Sequence, residues 1–329
     1  MVKVSYVLGI LNASSTLSEC LNSILMQDYP KEDYEIIIVD GGSTDKTLEI
    51  IKNYQKKERN IKLFHNPYKL SEGKGMAKDQ GVSKSKGEVI IFLDHDNILT
   101  DKNWIKNILE PFNDSSVMAS QSLTSPRKKD TNFLKYVNSL GVEDPFATPY
   151  SLVAQIVLNE SKFKSVGNYY IFDLSEDNVL FFGANGCAFR KSVFKKIKGY
   201  TRDVDVSASM ASKNMRVAVS KKSKVYHKTS NNMLSFLKKK GTYFYRFMDK
   251  EYASKKFQWS KVGSPPSTLR FFLMVLTNLT FIIPFLSVAH KMVNSRQFFW
   301  ILHPFYVFFL TLIYGFITLS KIKNFVKYL

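Results

Sequence analysis

Four short apolar runs divide the first hundred residues: 4–11 (VSYVLGIL), 35–39 (EIIIV), 61–64 (IKLF) and 88–93 (EVIIFL). Runs of this length, rich in Ile and Val and bounded by polar turns, predict strands buried on both faces. Between them the apolar positions recur at helical spacing. Thr16 and Glu19 have the capping-box interval and open a helix to about Gln27; residues 44–55 and 72–85 predict two more. Alternating strand and helix implies an α/β fold, a mostly parallel sheet flanked by helices. Ligands of such sheets bind beyond the carboxyl ends of the strands. Two of the predicted strands run into a carboxylate at that rim, Val39-Asp40 and Leu93-Asp94.

The pattern changes towards the C-terminus. Residues 269–289 and 298–320 are each about 20 residues of nearly continuous apolar sequence, the length that crosses roughly 30 Å of hydrocarbon. They predict two transmembrane helices, joined by the short segment 290–297 into a hairpin. Asn278, Pro284 and His303-Pro304 keep a re-entrant or interfacial hairpin open as the alternative.

Charge sharpens this picture. The 329 residues carry 47 Lys and Arg against 28 Asp and Glu, a formal net charge of +19. Between Arg190 and Lys261 there are 20 basic residues and 4 acidic ones, so much of the excess sits in a minority of the chain. No helix-turn-helix, zinc-finger or RNP-like pattern accompanies it, and no nucleic-acid partner is expected. Residues 235–261 instead interleave Lys and Arg with Phe, Tyr and Trp, as in an amphipathic segment lying on anionic membrane lipids. A solvated charged helix is the plainer alternative. Lys321, Lys323 and Lys327 follow the second apolar stretch, whereas 290–297 holds only Lys291 and Arg296. The positive-inside bias therefore places the large domain and the C-terminus in the cytoplasm, with the chain held in the cell membrane by two spans. The run 4–11 is too short for a signal-peptide core, and the sequons at Asn12, Asn113 and Asn278 are expected to be accidental. A composition of 45% hydrophobic and 14% aromatic residues excludes a disordered or low-complexity chain. Two cysteines, Cys20 and Cys187, with no CxxC or Cys/His cluster, give neither a disulfide framework nor a zinc site.

The candidate chemistry lies at the predicted rim. After Asp40, Gly41-Gly42-Ser43-Thr44-Asp45 predicts a tight turn into a helix with Thr44 or Asp45 near its N-cap. It has the spacing of neither a G-x-G-x-x-G dinucleotide loop nor a P-loop, and a well-capped structural turn would look the same. Asp94-His95-Asp96 is more specific. Two carboxylates flanking one residue at the end of a buried strand are hard oxygen ligands suited to Mg²⁺ or Mn²⁺ bridging a diphosphate. His95 is given no role.

These segments carry a family resemblance. Residues 4–12, Gln27-Asp28-Tyr29-Pro30, residues 37–45 (IIVDGGSTD), His65-Asn66-Pro67, Lys86-Gly87-Glu88 and Phe92-Leu93-Asp94-His95-Asp96 together resemble family 2 glycosyltransferases of GT-A (Rossmann-like) fold. The nearest likeness is to the succinoglycan-type exopolysaccharide enzymes, over roughly residues 2–250. The resemblance implies a nucleotide-diphosphate sugar donor, with Asp40 at the nucleotide base and Asp94 and Asp96 as the D-x-D motif at ribose, metal and diphosphate. It implies Mg²⁺ or Mn²⁺ held by Asp94, Asp96 and His227, with Lys74, Lys78 or Arg127 assisting the diphosphate. Gly183, Ala184, Asn185 and Gly186 become the acceptor loop, with Arg246 in a later acceptor patch, and Asp203 the catalytic base.

The family's acidic pair there is Glu-Asp; here Asp203 matches and Arg202 does not. Glu176-Asp177 is a rival pair, on the wrong side of the glycine loop. A base is needed for a sugar hydroxyl but not for an ionised polyprenyl phosphate, so both acceptor classes stay open. The Q-x-x-R-W motif of processive members is replaced by YFYRF at 243–247, which implies one sugar per encounter with a lipid-linked acceptor. The implied organisation is a GT-A domain at 1–232, a membrane-surface segment at 233–268, a transmembrane hairpin at 269–320 and a basic tail at 321–329. A catalytically inactive membrane scaffold is the alternative from another class.

Overall fold

All four strands expected in the first hundred residues form, and the helices between them form with later starts. The computed structural model describes residues 3–68, 72–183, 185–229, 232–250 and 267–321. In chain order the opening elements are Val4–Ile10 (β1), Leu17–Leu25 (α1), Tyr34–Asp40 (β2), Thr47–Gln55 (α2), Ile61–His65 (β3), Ala77–Lys84 (α3) and Val89–Phe92 (β4). Asn97–Leu99 (β5), Trp104–Leu109 (α4), Val117–Thr124 (β6), Asn132–Leu140 (α5) and Leu152–Leu158 (α6) follow. Then come Lys164–Val166 (β7), Tyr169–Asp173 (β8), Cys187–Arg190 (β9), Ser192–Ile197 (α7), Asp203–Ala211 (α8) and Arg216–His227 (β10).

Chain contacts divide these into two units. The first, residues 1–125 and 163–228, holds the sheet, in the order β3-β2-β1-β4-β9-β6-β10-β8-β7 with β5 beside β10. Strands β3, β2, β1 and β4 are parallel; β2, β1 and β4 are buried Ile and Val runs, and β3, at the edge, is only partly buried. The rest is mixed: β9 enters antiparallel between β4 and β6, β6 and β10 are parallel, and β8 and β5 pair antiparallel with β10. The strand order reverses between β1 and β4, the place where an α/β sheet opens a crevice at its carboxyl rim.

One face of the sheet buries Tyr6, Leu8, Ile36 and Ile38 with Leu17, Leu21 and Ile24 of α1 and Trp104 of α4. On that scale each fully buried aliphatic side chain contributes about 1.5–3 kcal/mol. A second aromatic group gathers around Phe92, whose ring centroid lies 5.8 Å from Phe189, 5.8 Å from Phe194 and 4.6 Å from Tyr200. Cys20 and Cys187 are both free and buried.

Local details differ from the sequence expectation for identifiable reasons. Helix α3 starts at Ala77, not Glu72, because Gly73 (φ 129°) and Gly75 (φ 77°) are in left-handed conformations that a helix cannot contain. The Thr16 capping box does not form: Thr16 Oγ1 lies 2.7 Å from His95 Nδ1 instead, a tertiary bond winning over the local one. Helix α2 begins at Thr47, after Asp45, whose carboxylate accepts from the Thr47 amide at 3.0 Å and the Ser14 amide at 3.1 Å.

The second unit, residues 126–162 and 229–329, is helical in its described part. After α5 and α6 it adds Met233–Lys250 (α9), Ser267–Asn278 (α10), Ile282–Ser295 (α11) and Leu302–Ser320 (α12). Phe133, Tyr136, Leu140, Phe236, Trp300 and Tyr306 are part of its core. Among the described residues one helix, Phe298–Ser320, is by itself long and apolar enough to cross a membrane. Residues 269–289 do not form the single straight helix expected. α10 ends at Asn278, Phe281 is left-handed (φ 59°), and the chain bends by 69° into α11. α11 then runs on to Ser295 through most of the expected connector. Residues 251–266 of the expected membrane-surface segment, and Lys323 and Lys327 of the basic tail, lie outside the described residues.

Candidate active site

The rim of the first unit is built outward from the ends of β1, β2 and β4. β2 ends at Asp40, which is 2% exposed. Its carboxylate accepts from the amides of Gly42 (2.9 Å) and Ser43 (3.0 Å) and from Ser43 Oγ (2.5 Å). Gly42 is left-handed (φ 92°), the conformation this turn requires of a glycine. Ser43 Oγ in turn accepts from the Asn12 amide at 2.8 Å, and Asn12 Oδ1 accepts from the Thr44 amide at 2.9 Å. Asp40 thus spends its carboxylate on welding the β2 turn to the end of β1.

Beyond β4 the chain makes a second turn. The Asn97 amide donates to the Asp94 carbonyl at 3.0 Å, and Asn97 Oδ1 accepts from the Asp94 amide at 3.2 Å. Asn97 pairs with His227 across β5 and β10, which brings His227 Nε2 to 3.2 Å from Asp96 Oδ2. The Asn97 side chain, fully buried, donates to Asn185 Oδ1 at 3.0 Å and to Asp96 Oδ1 at 3.3 Å. The glycine loop is fastened to the same place. Gly183 N donates to Gln121 Oε1 (3.0 Å), Ser122 Oγ to the Asn185 carbonyl (2.7 Å) and Gly186 N to the Phe92 carbonyl (3.1 Å). A Cβ at Gly183 (φ 134°) would stand 2.7 Å from Asp203 Cγ, so the loop touches Asp203 through the absence of a side chain.

Asp203 is the first residue of α8 and receives a hydrogen bond from Tyr200 Oη on Oδ1. The segment 199–201 is tied to the turn before α3: Tyr200 N donates to Asp79 Oδ1 (2.7 Å), Gly75 N to Asp79 Oδ2 (2.8 Å) and Gly73 N to the Thr201 carbonyl (2.8 Å). Asn66 Nδ2 holds the Gly75 carbonyl from the other side at 3.0 Å. Those bonds deliver Glu72 and Lys78. Lys78 is 1% exposed, with Nζ 2.9 Å from Glu72 Oε1, 3.3 Å from Asp94 Oδ1 and 5.8 Å from the Tyr200 ring centroid. Burial works against its charge, but Asp94, Glu72 and Asp203 outweigh burial and hold the ammonium well above its ordinary range. Burial, with Glu72 beside it, pushes the Asp203 carboxyl up to about 7, against the pull of Lys78 and the Tyr200 hydrogen bond.

The expected metal ligands divide. Asp96 and His227 are paired, while Asp94, two residues earlier, turns its carboxylate to Lys78. Among the described residues no three His, Cys, Asp or Glu side chains gather closely enough to hold an ion. A carboxylate and an imidazole, 24% and 12% exposed, nevertheless fit Mg²⁺ or Mn²⁺, because such ions are commonly held by one or two protein carboxylates with substrate phosphates and water completing the shell.

Other expected residues are elsewhere. Lys74 is exposed on the turn before α3, and the rival Glu176-Asp177 pair is exposed after β8. Arg246, exposed on α9, and Arg127 belong to the second unit, and Ala184 lies outside the described residues. Arg202 sits with Nη1 3.8 Å from Asp205 Oδ2. Sequence reasoning missed Glu72, Tyr200, Asn97 and Gln121. The pair of glycines after Glu72 was the available signal that it stands in a turn.

The sequence model described as Glycosyl transferase family 2 matches residues 5–198, more than half of the chain. The chain belongs to glycosyl transferase family 2. Within it, the chain is 40% identical over 98 residues to the poly(ribitol-phosphate) beta-glucosyltransferase of Bacillus spizizenii, a match covering 30% of this chain and 15% of that protein. It is 37% identical over 112 residues to the dolichyl N-acetyl-alpha-D-glucosaminyl phosphate 3-beta-D-2,3-diacetamido-2,3-dideoxy-beta-D-glucuronosyltransferase of Methanococcus voltae, covering 33% of each. The chain thus spans a third or less of the length of these two curated relatives. Among solved structures, the mannosyltransferase PcManGT of Pyrobaculum calidifontis, in complex with GDP-Man and Mn²⁺, matches with a TM-score of 0.59 over 95% of this chain and 87% of that one. At 13% identity that likeness shows the GT-A fold alone.

Proposed function

We propose that this family 2 protein moves a sugar, with inversion, from a nucleotide-diphosphate sugar to a lipid-linked saccharide at the cytoplasmic leaflet, and that it is anchored in the membrane there. The observation that carries this reading is the meeting of Asp203, Gly183, Lys78 and Asp94 at the carboxyl rim of the sheet. Support for the donor comes from family membership and from the GDP-Man in the PcManGT complex. The polymer and dolichyl substrates in the relatives' names support a carrier-bound acceptor.

In this reading Asp203, ionised above pH of about 7, accepts the proton of the acceptor hydroxyl as that oxygen attacks the anomeric carbon. Such positioned proton transfer contributes roughly 10²–10⁴-fold. Direct displacement from the face opposite the leaving diphosphate inverts the anomeric centre. Gly183 leaves the carboxylate open to the acceptor because it presents no side chain there. Lys78 keeps its charge at every working pH and holds Asp94 in place at the donor side. Asp96 and His227 would hold a Mg²⁺ or Mn²⁺ ion, which, when bound, neutralises charge developing on the leaving diphosphate.

The test is a panel of nucleotide sugars incubated with purified protein and Mn²⁺ or Mg²⁺, scored for release of nucleoside diphosphate. Release from at least one donor, lost on chelation, is expected. No release from any donor, with no nucleotide-dependent thermal shift, would leave the inactive scaffold as the better account. Arg202, in place of the family's Glu, favours a polyprenyl-phosphate acceptor as the second reading. Turnover that survives Asp203→Asn but not Asp96→Ala would select it.

A further inference from the structure

We infer that α12 lies in the plane of the membrane surface, with one side buried in protein and the other in a single leaflet of anionic lipid, and does not cross the bilayer. The inference rests on the membrane anchoring proposed above and concerns how the second unit achieves it.

The two sides of α12 are different surfaces. His303, Tyr306, Val307, Leu310, Tyr314 and Ile317 are buried against the unit's own core. On the opposite side Ile301, Phe305, Phe309, Leu312, Phe316 and Leu319 recur every three or four residues and are exposed. Exposed Leu276, Ile283 and Leu286 add apolar surface on α10 and α11, and Phe281 between them packs its ring 5.3 Å from Phe305. A stripe of this size on a described unit is an interaction surface.

Its neighbours decide the orientation. α9 runs alongside α12 in the same direction. Phe236 meets Tyr306 at 6.2 Å, Phe244 stacks on Tyr314 at 4.2 Å, and Lys321 Nζ lies 4.3 Å from the Tyr245 ring. Over this shared length α9 exposes Lys238, Lys239 and Arg246. Deeper in, Lys240 Nζ pairs with Glu143 Oε2 at 2.7 Å, and Tyr314 Oη donates to Asp144 Oδ2 at 2.5 Å. Asp144 then caps a 3-10 turn, Pro145–Tyr150.

Were α12 to stand across the bilayer, its middle would carry the exposed Lys238 and Lys239 of the adjacent α9 to mid-depth. Hydrocarbon does not tolerate exposed charged side chains at that depth. Laid flat, the same unit puts the apolar stripe into the acyl region and leaves α9 at headgroup level, the arrangement of an interfacial amphipathic surface. Charge names the lipid: from Ser267 to Lys321 the sequence has no Asp or Glu but has Arg270, Lys291, Arg296 and Lys321.

The test uses the full chain expressed in bacterial cells, with Ser295→Cys and Ser320→Cys made singly. Both positions are exposed, and the native Cys20 and Cys187 are buried, so the unsubstituted chain sets the background. A membrane-impermeant maleimide is applied to intact spheroplasts and again after permeabilisation. The in-plane arrangement predicts a membrane-bound chain with neither cysteine labelled before permeabilisation and both labelled after it. A two-span hairpin labels Ser295→Cys alone, and a single crossing by α12 labels one of the two; either result overturns the inference. A chain found in the supernatant after cell breakage overturns the membrane anchoring itself, a distinguishable failure.

A second measurement does not depend on the cysteines. Phe309→Glu with Phe316→Glu should lower partitioning of purified protein onto phosphatidylcholine vesicles containing phosphatidylglycerol by ten-fold or more, with nucleotide-dependent thermal shift retained. Unchanged partitioning also overturns it.

Discussion

Two acidic corners of one rim are set up in opposite ways. At the first, Asp96 Oδ2 lies 3.2 Å from His227 Nε2, and both side chains reach solvent. At the second, Asp203 is packed with Glu72, Asp94 and Tyr200 around the buried ammonium of Lys78. The first corner suits a cation that arrives with substrate. The second already contains its cation, so an added proton, not an added metal, is the exchangeable charge. The difference teaches that two carboxylates of one motif, two residues apart, can be given to different partners, Asp96 to an imidazole and Asp94 to a buried ammonium. Asp94, between the corners in sequence, goes with the lysine.

The largest expected effect breaks the proton corner. Asp203→Asn keeps the shape and removes the proposed base, and turnover onto a hydroxyl acceptor should fall by about 10²–10⁴-fold. Stability serves as the control. The folded carboxyl titrates at about 7 and an unfolded aspartate near 3.9, so the stability this group contributes is complete below the lower value and is lost as pH rises through the higher. At pH 8 the Asn variant should therefore melt no lower than the parent chain, which separates lost chemistry from lost folding. A variant that melts well below the parent would show that Asp203 is needed for packing instead.

Breaking the metal corner should be milder and of a different kind. In Asp96→Ala the Mn²⁺-dependent part of thermal stabilisation by a nucleoside diphosphate should vanish, a fraction of the roughly 2.7 kcal/mol that a ligand at 100 times its Kd gives in all. Metal-independent stabilisation should remain. If the Mn²⁺ dependence persisted in Asp96→Ala but disappeared in Asp94→Asn, the division between the corners would be reversed.

How much of this was legible depends on where each element sits. β1, β2 and β4 announced themselves because strands buried on both faces must be continuously apolar. β6 and β10, VMASQSLT and RVAVSKKSKVYH, carry Ser and Lys among their apolar residues, and their pairing shifts register between Val219 and Lys224, so no period survives to be read. The D-x-D motif was legible from its position after a buried strand. That its two carboxylates part company was not, because the Asp94 contact depends on Lys78, and the turn before Lys78 is held by Asn66 donating to the Gly75 carbonyl, by Asp79 accepting from Gly75 and Tyr200, and by the Thr201 carbonyl accepting from Gly73, the partners at 200 and 201 lying far away in sequence. In the second unit, hydropathy alone gave length without direction, since the exposed charges that argue against a crossing come from the neighbouring helix α9.

The smallest expected effect sharpens the comparison most finely. Tyr200→Phe removes only the hydroxyl that donates to Asp203. Burial and the adjoining carboxylates hold the Tyr200 phenol well above its usual range, so it stays a donor at all working pH values. Its hydrogen bond favours the ionised base. Without it the Asp203 carboxyl should titrate higher, and the acidic limb of kcat/KM should move up by about one pH unit, each unit being about 1.4 kcal/mol. Activity near neutral pH should then fall several-fold and recover above pH of about 9, where the carboxyl is ionised in both proteins. A merely structural role for the tyrosine would lower the profile equally at every pH. A limb that did not move would also mean that the proton leaves through some group other than Asp203, which would transfer the second corner from proton chemistry to donor binding.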